Sequence, residues 1–325
     1  MKRIILAVIA LVVLCLALVP GTDPGVGAQL HAPFERSAPE FQVADKWVNS
    51  KPIRLADLRG KVVLVDFWTY SCINCLRTVP YLNRWHQQYK DQGLVVVGIH
   101  TPEFGFEAMP VNVTDAIRRL GIQFPVGQDN KYATWNAYGN RAWPGFYLVD
   151  QKGNIVLRRY GEGEYDKIEN KIRELLAIKS PVGADNGPDL SRIRSPEMYF
   201  GTAHEEFQSA EQQPVTGSKT YVLPKTLRTD GFALGGTWSR DGEQATLGSD
   251  NGRIVLRFNA AKMHLVAGSK APIEIVVRVD GGKPNKFTID VPRLYTLFDS
   301  SDYREHTMEI EVPSRGLDLY SVTFG

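Results

Sequence analysis

Two cysteines three residues apart, Cys72 and Cys75, are the side chains in this sequence best suited to chemistry. A thiolate attacks a disulfide sulfur, and a second thiol one helical turn away can displace the product, so the pair can run a full exchange cycle by itself. A zinc half-site would need two more ligands, yet His31, His86, His100, His204, His264 and His306 are scattered without a metal-ligand spacing. A purely structural bridge would close a tiny loop and gain little chain entropy. Redox chemistry is therefore the favoured reading, and no metal or cofactor is expected.

The third cysteine, Cys15, lies in an apolar run from Ile4 to Val19 that follows Met1-Lys2-Arg3 and stops at Pro20-Gly21. As a helix its 16 residues would span about 24 Å, short of the ~30 Å of a bilayer's hydrocarbon. Residues 1–28 read as a signal peptide with small residues Val26-Gly27-Ala28 at the cleavage position, or as an uncleaved membrane anchor. Either way the folded part is exported, to the periplasm or an equivalent extracytoplasmic space, where disulfides persist. With 325 residues, 43% hydrophobic and 23% charged, the chain suits two globular units and excludes a disordered or collagen-like protein. A net charge of +2 provides no basic surplus for nucleic acid.

The elements around the dithiol are legible from their periods. Lys61 to Trp68 reads as a buried strand, and Leu76, Val79, Leu82 and Trp85 recur at helical spacing up to Gln92-Gly93. Cys72 then sits at a helix N-terminus, where free N–H groups and the macrodipole favour an anion, and Cys75 lies a turn further in. Cys72 is the expected nucleophile and Cys75 the resolving thiol. A second strand is expected over Leu94–Ile99 and helices over Thr114–Leu120 and Tyr132–Ala137. A hairpin of Phe146–Val149 with Ile155–Tyr160 and a closing helix bearing Ile168, Ile172, Leu175 and Leu176 complete the domain. This order predicts an α/β sandwich over residues 29–180.

Asp66-Phe67-Trp68 followed by Cys72-Ile73-Asn74-Cys75 resembles the active-site strand and helix of thioredoxins. The stretch from Leu55 through Gly60-Lys61 to Thr101-Pro102-Glu103 is similar to the exported TlpA-like branch. Trp68-Thr69-Tyr70-Ser71 around the dithiol, Arg141-Ala142-Trp143-Pro144 and Tyr147-Leu148-Val149-Asp150 resemble DipZ-type proteins more specifically. The resemblance implies a thioredoxin-like fold and a thiol–disulfide oxidoreductase whose redox-active disulfide joins Cys72 and Cys75. It makes Asp66 a buried acid that takes the Cys75 proton, where the bland alternative is a carboxylate hydrogen-bonded at a sheet edge. It marks Glu103 as an active-site glutamate and Pro144 as a cis-proline opposite the dithiol. Trp143, Pro144, Tyr70 and Ser71 become the expected substrate contacts, with the Trp143 backbone pairing to an extended partner segment. DipZ-type proteins carry a multi-span electron-transfer module. With one apolar segment here, a separate membrane electron-transfer protein of the CcdA/DsbD type is the implied partner, beside protein disulfide and dithiol substrates.

Residues 181–196 are rich in Pro, Gly, Asp and Ser and read as a linker. Beyond it, over 197–325, Ile273, Ile275, Val277 and Val279 alternate with polar residues, as do Met308, Ile310 and Val312. Asp241-Gly242, Asn251-Gly252 and Asp280-Gly281 mark turns. A jelly-roll β-sandwich is expected. Ser195-Pro196-Glu197 with Phe200-Gly201, Arg293-Leu294-Tyr295 and Thr323-Phe324-Gly325 resemble the C-terminal part of DipZ-type proteins, which implies a carbohydrate-binding-module-like fold. A glycan would stack on exposed aromatic faces, for which Trp238, Tyr295 and Tyr303 are the candidates, though each could as easily be core. The second half shows no cysteine and no evident acid–base pair, so it is expected to affect location or partner and to leave the exchange rate alone. Three functions are open: an exported thiol–disulfide oxidoreductase, expected to be the reductant in its cycle by analogy with TlpA-like proteins; an envelope glycan-binding or scaffolding protein with an accessory redox domain; and a peroxidase. The last ranks lowest, because no Pro-x3-Thr precedes Cys72.

Overall fold

The computed structural model describes residues 36–43, 46–179, 191–204 and 206–325. The apolar N-terminal run and most of the expected linker lie outside them. In chain order the first half contains β1 (Arg36–Ser37), β2 (Trp47–Val48), β3 (Val62–Trp68), α1 (Ile73–Tyr89), β4 (Leu94–His100), α2 (Pro110–Arg119), β5 (Val126–Gln128), α3 (Ala133–Tyr138), β6 (Gly145–Val149), β7 (Asn154–Tyr160) and α4 (Tyr165–Leu175). The strands form one sheet in the order β1-β7-β6-β3-β4-β5-β2. β3, β4 and β5 run parallel, and β6 and β7 close it antiparallel.

Strand β3 is central and every residue of it is buried, which is why its sequence is a near-continuous apolar run. Its side chains still divide by the two-residue period. Val63, Val65 and Phe67 join a cluster with Trp135, Tyr138 and Tyr147 on one face. Val62, Leu64 and Trp68 join Cys75, Val79, Leu82 and Trp85 of α1 and Ile168 and Ile172 of α4 on the other. Asp66 has the parity of the second set. Alternation alone therefore puts its carboxyl on the sheet face that α1 covers.

Helix α2 begins at Pro110, four residues ahead of the expected start, with the proline at the first helical position where its missing N–H costs nothing. The exposed Met109 and Val111 break the apolar period that would have marked this end. Helix α1 ends at Tyr89, short of the expected Gln92-Gly93, and a 3-10 turn over Lys90–Gln92 covers the difference, while the other expected strands and helices begin and end close to expectation.

The second half is all β: β8 (Met198–Tyr199), β9 (Gly217–Tyr221), β10 (Gly231–Arg240), β11 (Ala245–Leu247), β12 (Gly252–Asn259), β13 (Lys262–Ser269), β14 (Ile273–Val279), β15 (Asn285–Ile289), β16 (Arg293–Asp299), β17 (Glu305–Val312) and β18 (Leu317–Phe324). They pair along the path β15-β14-β17-β12-β10-β11-β18-β13-β16, antiparallel throughout, with β8 on β18 and β9 on β10. Strand β10 belongs to both layers. Gly231–Gly235 pairs with β12, whereas Gly236–Arg240 pairs with β9. Gly236 at that switch has φ +97, a conformation open to glycine that lets the strand turn from one layer to the other. Phe232, Leu234, Trp238, Ile254, Leu256, Met308, Ile310 and Leu319 fill the space between layers. The alternating residues of β14 and β17 face inward as expected, and Asp280-Gly281 turns β14 into β15 with φ positive at both residues.

Candidate functional site

The dithiol lies where β3 hands the chain to α1. Cys72 is the N-cap of α1, and its Sγ accepts a hydrogen bond from the Cys75 backbone N–H at 3.4 Å. A sulfur at this position gains from an amide donor and from the positive end of the helix dipole. Cys72 is partly exposed. Cys75 is fully buried, and burial first, then the neighbouring Cys72 sulfur and the Asp66 carboxyl, push its thiol well above the usual range. The two sulfurs are thus made unequal by position alone, one accessible and the other withheld.

Asp66 is 1% exposed, and burial raises its carboxyl well above the usual carboxylate range. It lies in mid-sheet between β4 and β6, so the sheet-edge alternative does not apply. Its Oδ1 has no hydrogen-bond partner among the described residues. An unpaired acceptor buried beside a buried thiol can take that thiol's proton.

The Trp143-Pro144 peptide is cis, and the Trp143 carbonyl oxygen lies 3.9 Å from Cys72 Sγ. The Trp143 ring is half-buried: its indole N–H donates to the Thr101 carbonyl at 3.0 Å, and it tilts against Trp135 at 4.5 Å. The ring serves as a wall between sheet and loop, and the backbone of Trp143 is what faces the thiol.

Tyr70 and Ser71, expected among the substrate contacts, are 3% and 2% exposed and stand behind the dithiol. Tyr70 stacks on His100, whose imidazole burial lowers to about 3 and so keeps neutral. Ser71 is bound by a residue that the sequence reading passed over. Glu107, wholly buried, accepts from Ser71 Oγ at 2.6 Å and Ser71 N at 3.2 Å through Oε1. Its Oε2 accepts from Glu103 N at 2.6 Å and Phe104 N at 3.1 Å. One carboxylate therefore ties the residue before Cys72 to the loop after β4. The signal was a glutamate three residues after Phe104 at the start of a short turn, half of a capping box without the usual Ser or Thr.

Glu103 faces the second half of the chain. The Tyr199 hydroxyl donates to Glu103 Oε1 at 2.8 Å. Burial, then the charges of Glu197 and Glu107, push the Glu103 carboxyl up to about 8, against the lowering effect of the Tyr199 hydrogen bond. Nearby, Gly105 N donates to Glu243 Oε2 at 2.9 Å, and Phe104 and Phe106 pack on Tyr320 at 5.3 and 4.5 Å. The β half thus supplies acid–base groups, Glu197 and Tyr199, beside Glu103, contrary to the sequence expectation. Residues over 90 positions apart in the chain meet here, which no local pattern reveals.

The three aromatic residues considered for sugar stacking are otherwise engaged. Trp238 is in the core with its indole N–H on the Gly235 carbonyl. Tyr295 is buried and its hydroxyl donates to Asp290, while Arg192 covers the Tyr303 ring at 4.3 Å.

The acids with raised values have a consequence for stability. Asp66, Glu103, Glu107 and Glu197 all have folded values raised above their ordinary ones. The folded state therefore holds protons more tightly than the unfolded chain, and the stability this provides is complete below the ordinary carboxylate range and lost as pH rises through the folded values. For Glu103 the loss runs from pH 4.5 to about 8. Thermal unfolding should show a higher Tm near pH 5 than near pH 8.5, with Glu103→Gln flattening part of the slope. A Tm that rises across this interval would contradict the assignment.

Comparison with known proteins places these features. Residues 34–158 match the family described as the AhpC/TSA family, and residues 195–325 match the one described as the thioredoxin like C-terminal domain. Protein DipZ from Mycobacterium bovis and from Mycobacterium tuberculosis are each 38% identical over 301 residues, which cover 89% of this chain and 43% of the relative. The chain thus spans under half the length of those relatives. The thiol-disulfide oxidoreductase ResA from Bacillus thuringiensis is 29% identical over 140 residues, 43% of this chain and 77% of that protein. A crystal structure of a DsbE-type thiol:disulfide interchange protein from Chlorobium tepidum is similar over 45% of this chain and 99% of its own, at 26% identity and a TM-score of 0.40.

Proposed function

This chain is a thioredoxin-family protein of the TlpA/DipZ-like kind, and from that premise we propose that it exchanges disulfides with extracytoplasmic partner proteins through Cys72 and Cys75, acting as the reductant. The observation that carries this reading is the inequality of the two thiols: an accessible sulfur at a helix N-terminus and a buried one beside an unpaired carboxyl.

In the cycle, the Cys72 thiolate attacks one sulfur of the partner disulfide. The Cys72–partner bond forms as the partner's S–S bond breaks, and the leaving partner sulfur takes up a proton. Cys75 then gives its proton to Asp66 and attacks Cys72 Sγ. The partner's second sulfur leaves with both electrons, so the partner is reduced and this chain holds a Cys72–Cys75 disulfide. A separate membrane electron-transfer protein would reset the dithiol. The domains would divide at residues 181–196, with the leader segment 1–28 directing export.

The alternative to be separated from it is a peroxidase, which the absence of a Pro-x3-Thr before Cys72 disfavours. Reduced protein offered a protein disulfide and, separately, hydrogen peroxide separates the readings: reduction of the disulfide with negligible peroxide turnover supports exchange, and the reverse defeats it. Asp66→Asn should slow the second half of the exchange by about 10²-fold, a typical acid–base contribution, without slowing attack by Cys72. Quenched-flow samples alkylated and weighed by mass spectrometry would then show the mixed disulfide accumulating. Equal resolution rates in the variant and wild type would remove Asp66 from the mechanism.

A further inference from the structure

The β half reaches the redox centre through a chain of hydrogen bonds. Tyr199, in β8, donates to the Glu103 carboxyl, and the Glu103 backbone N–H is held by Glu107, which also holds Ser71 next to Cys72. The other side of the same loop is closed by Trp143, whose indole binds Thr101 and whose carbonyl faces Cys72 Sγ. Glu197, two residues before Tyr199, is fixed by the Ser321 hydroxyl at 3.1 Å and presents a second carboxyl to the same spot. Two carboxyls from separate halves of the chain do not both ionise easily when held close together, and a phenol beside them supplies a single donor.

We propose that Tyr199 and Glu197 are positioning residues of the redox centre: the β half supplies the hydroxyl that orients Glu103 and, two residues earlier, a second carboxyl held by Ser321. The inference rests on the exchange reading above and extends it, since it makes the β-sandwich a working part of the site. The ionisable groups facing Glu103 are Glu107 on its own loop, Glu197 and Tyr199 from the β half, and Tyr132 and Glu243 at the margin. Tyr199 favours the charged form of Glu103 by donating to it, and Glu197 opposes that form by its charge. Removing either should therefore move Glu103 in opposite directions.

The test uses the full chain with Tyr199→Phe, which keeps the ring against Phe104 and removes only the hydroxyl, and Glu197→Gln, which keeps the shape and removes the charge. Glu103 is followed directly through its side-chain carboxyl carbon by NMR, assigned with Glu103→Gln, alongside the pH profile of exchange with a peptide disulfide. Titration of Glu103 should move up in Tyr199→Phe and down in Glu197→Gln by about half a pH unit or more, and the inflection in exchange should follow each shift. A Glu103 titration unchanged in both variants would overturn the proposal, as would a titration that moves while the rate profile stays. If Glu103→Gln itself leaves the rate profile intact, Glu103 has no part in exchange and the proposal falls with that premise. Exchange through Cys72 and Cys75, read by the cysteine variants alone, stands or falls separately.

Discussion

Cys72→Ser should abolish exchange altogether, whereas Cys75→Ser should leave the first half-reaction running and hold the partner on Cys72 as a stable mixed disulfide. The asymmetry follows from the helix. Only Cys72 has both solvent access and an amide donor from the first turn, and Cys75 is sealed under α1 with its thiol pushed up by burial. A serine at position 72 offers an alkoxide precursor far too basic to attack a disulfide, so the residual rate should be that of uncatalysed exchange. With serine at 75 the mixed disulfide has no internal thiol to displace it and persists until an outside thiol arrives. Mass spectrometry after reaction with an oxidised peptide reads both outcomes. Adducts on Cys75 in the Cys72→Ser variant, at a rate near wild type, would reverse the assignment of nucleophile and resolving thiol. The same Cys75→Ser protein, expressed in its native host, would carry its partners with it and identify them.

The elements that hold the dithiol were legible because each is set by a local rule. An apolar run too short for a helix must be a buried strand, and β3 is one. A 3.6-residue stripe after Cys72 gives α1 one face for the core, and the alternation of β14 and β17 gives a layered β half. Residues of the site followed the same logic as far as it reaches. Cys72, Cys75 and Asp66 are brought together because one strand and the helix after it carry all three. Glu107 was missed because a glutamate in a loop ordinarily points to water, and only the four donors that converge on it show that this one does not. Tyr199 and Glu197 were missed for a different reason. Their partner Glu103 is 96 residues from Tyr199 along the chain, and pairings made by domain packing leave no period or spacing to read. Trp238 and Tyr295 were left open between two places. An aromatic residue in a β strand has equal claim to a core and to a ligand face, and here burial decides for the core.

Glu107→Ala should be the most damaging single change outside the cysteines. The side chain is fully buried and accepts from Ser71 N, Ser71 Oγ, Glu103 N and Phe104 N, so its loss strands four donors in a space that excludes water. Each unsatisfied buried donor costs about 1–3 kcal/mol, and partial relaxation brings the sum to about 3–5 kcal/mol. In a chain of 325 residues that corresponds to a fall in Tm of about 4–7 °C. Activity should fall further than stability accounts for. Ser71 precedes Cys72, and a displacement of about 1 Å at a reacting atom can cost 10²-fold in rate, so exchange measured well below the lowered Tm should still be slow. Glu107→Gln separates the two effects. Its single carbonyl oxygen can serve the Ser71 pair or the loop pair but not both, and its NH2 confronts the remaining donors, so it should recover part of the stability and little of the rate. Should Glu107→Gln match wild type in both Tm and exchange, the carboxylate would be reduced to a space-filling role, and the link from the loop to the Ser71–Cys72 turn would have to be carried by Trp143 instead.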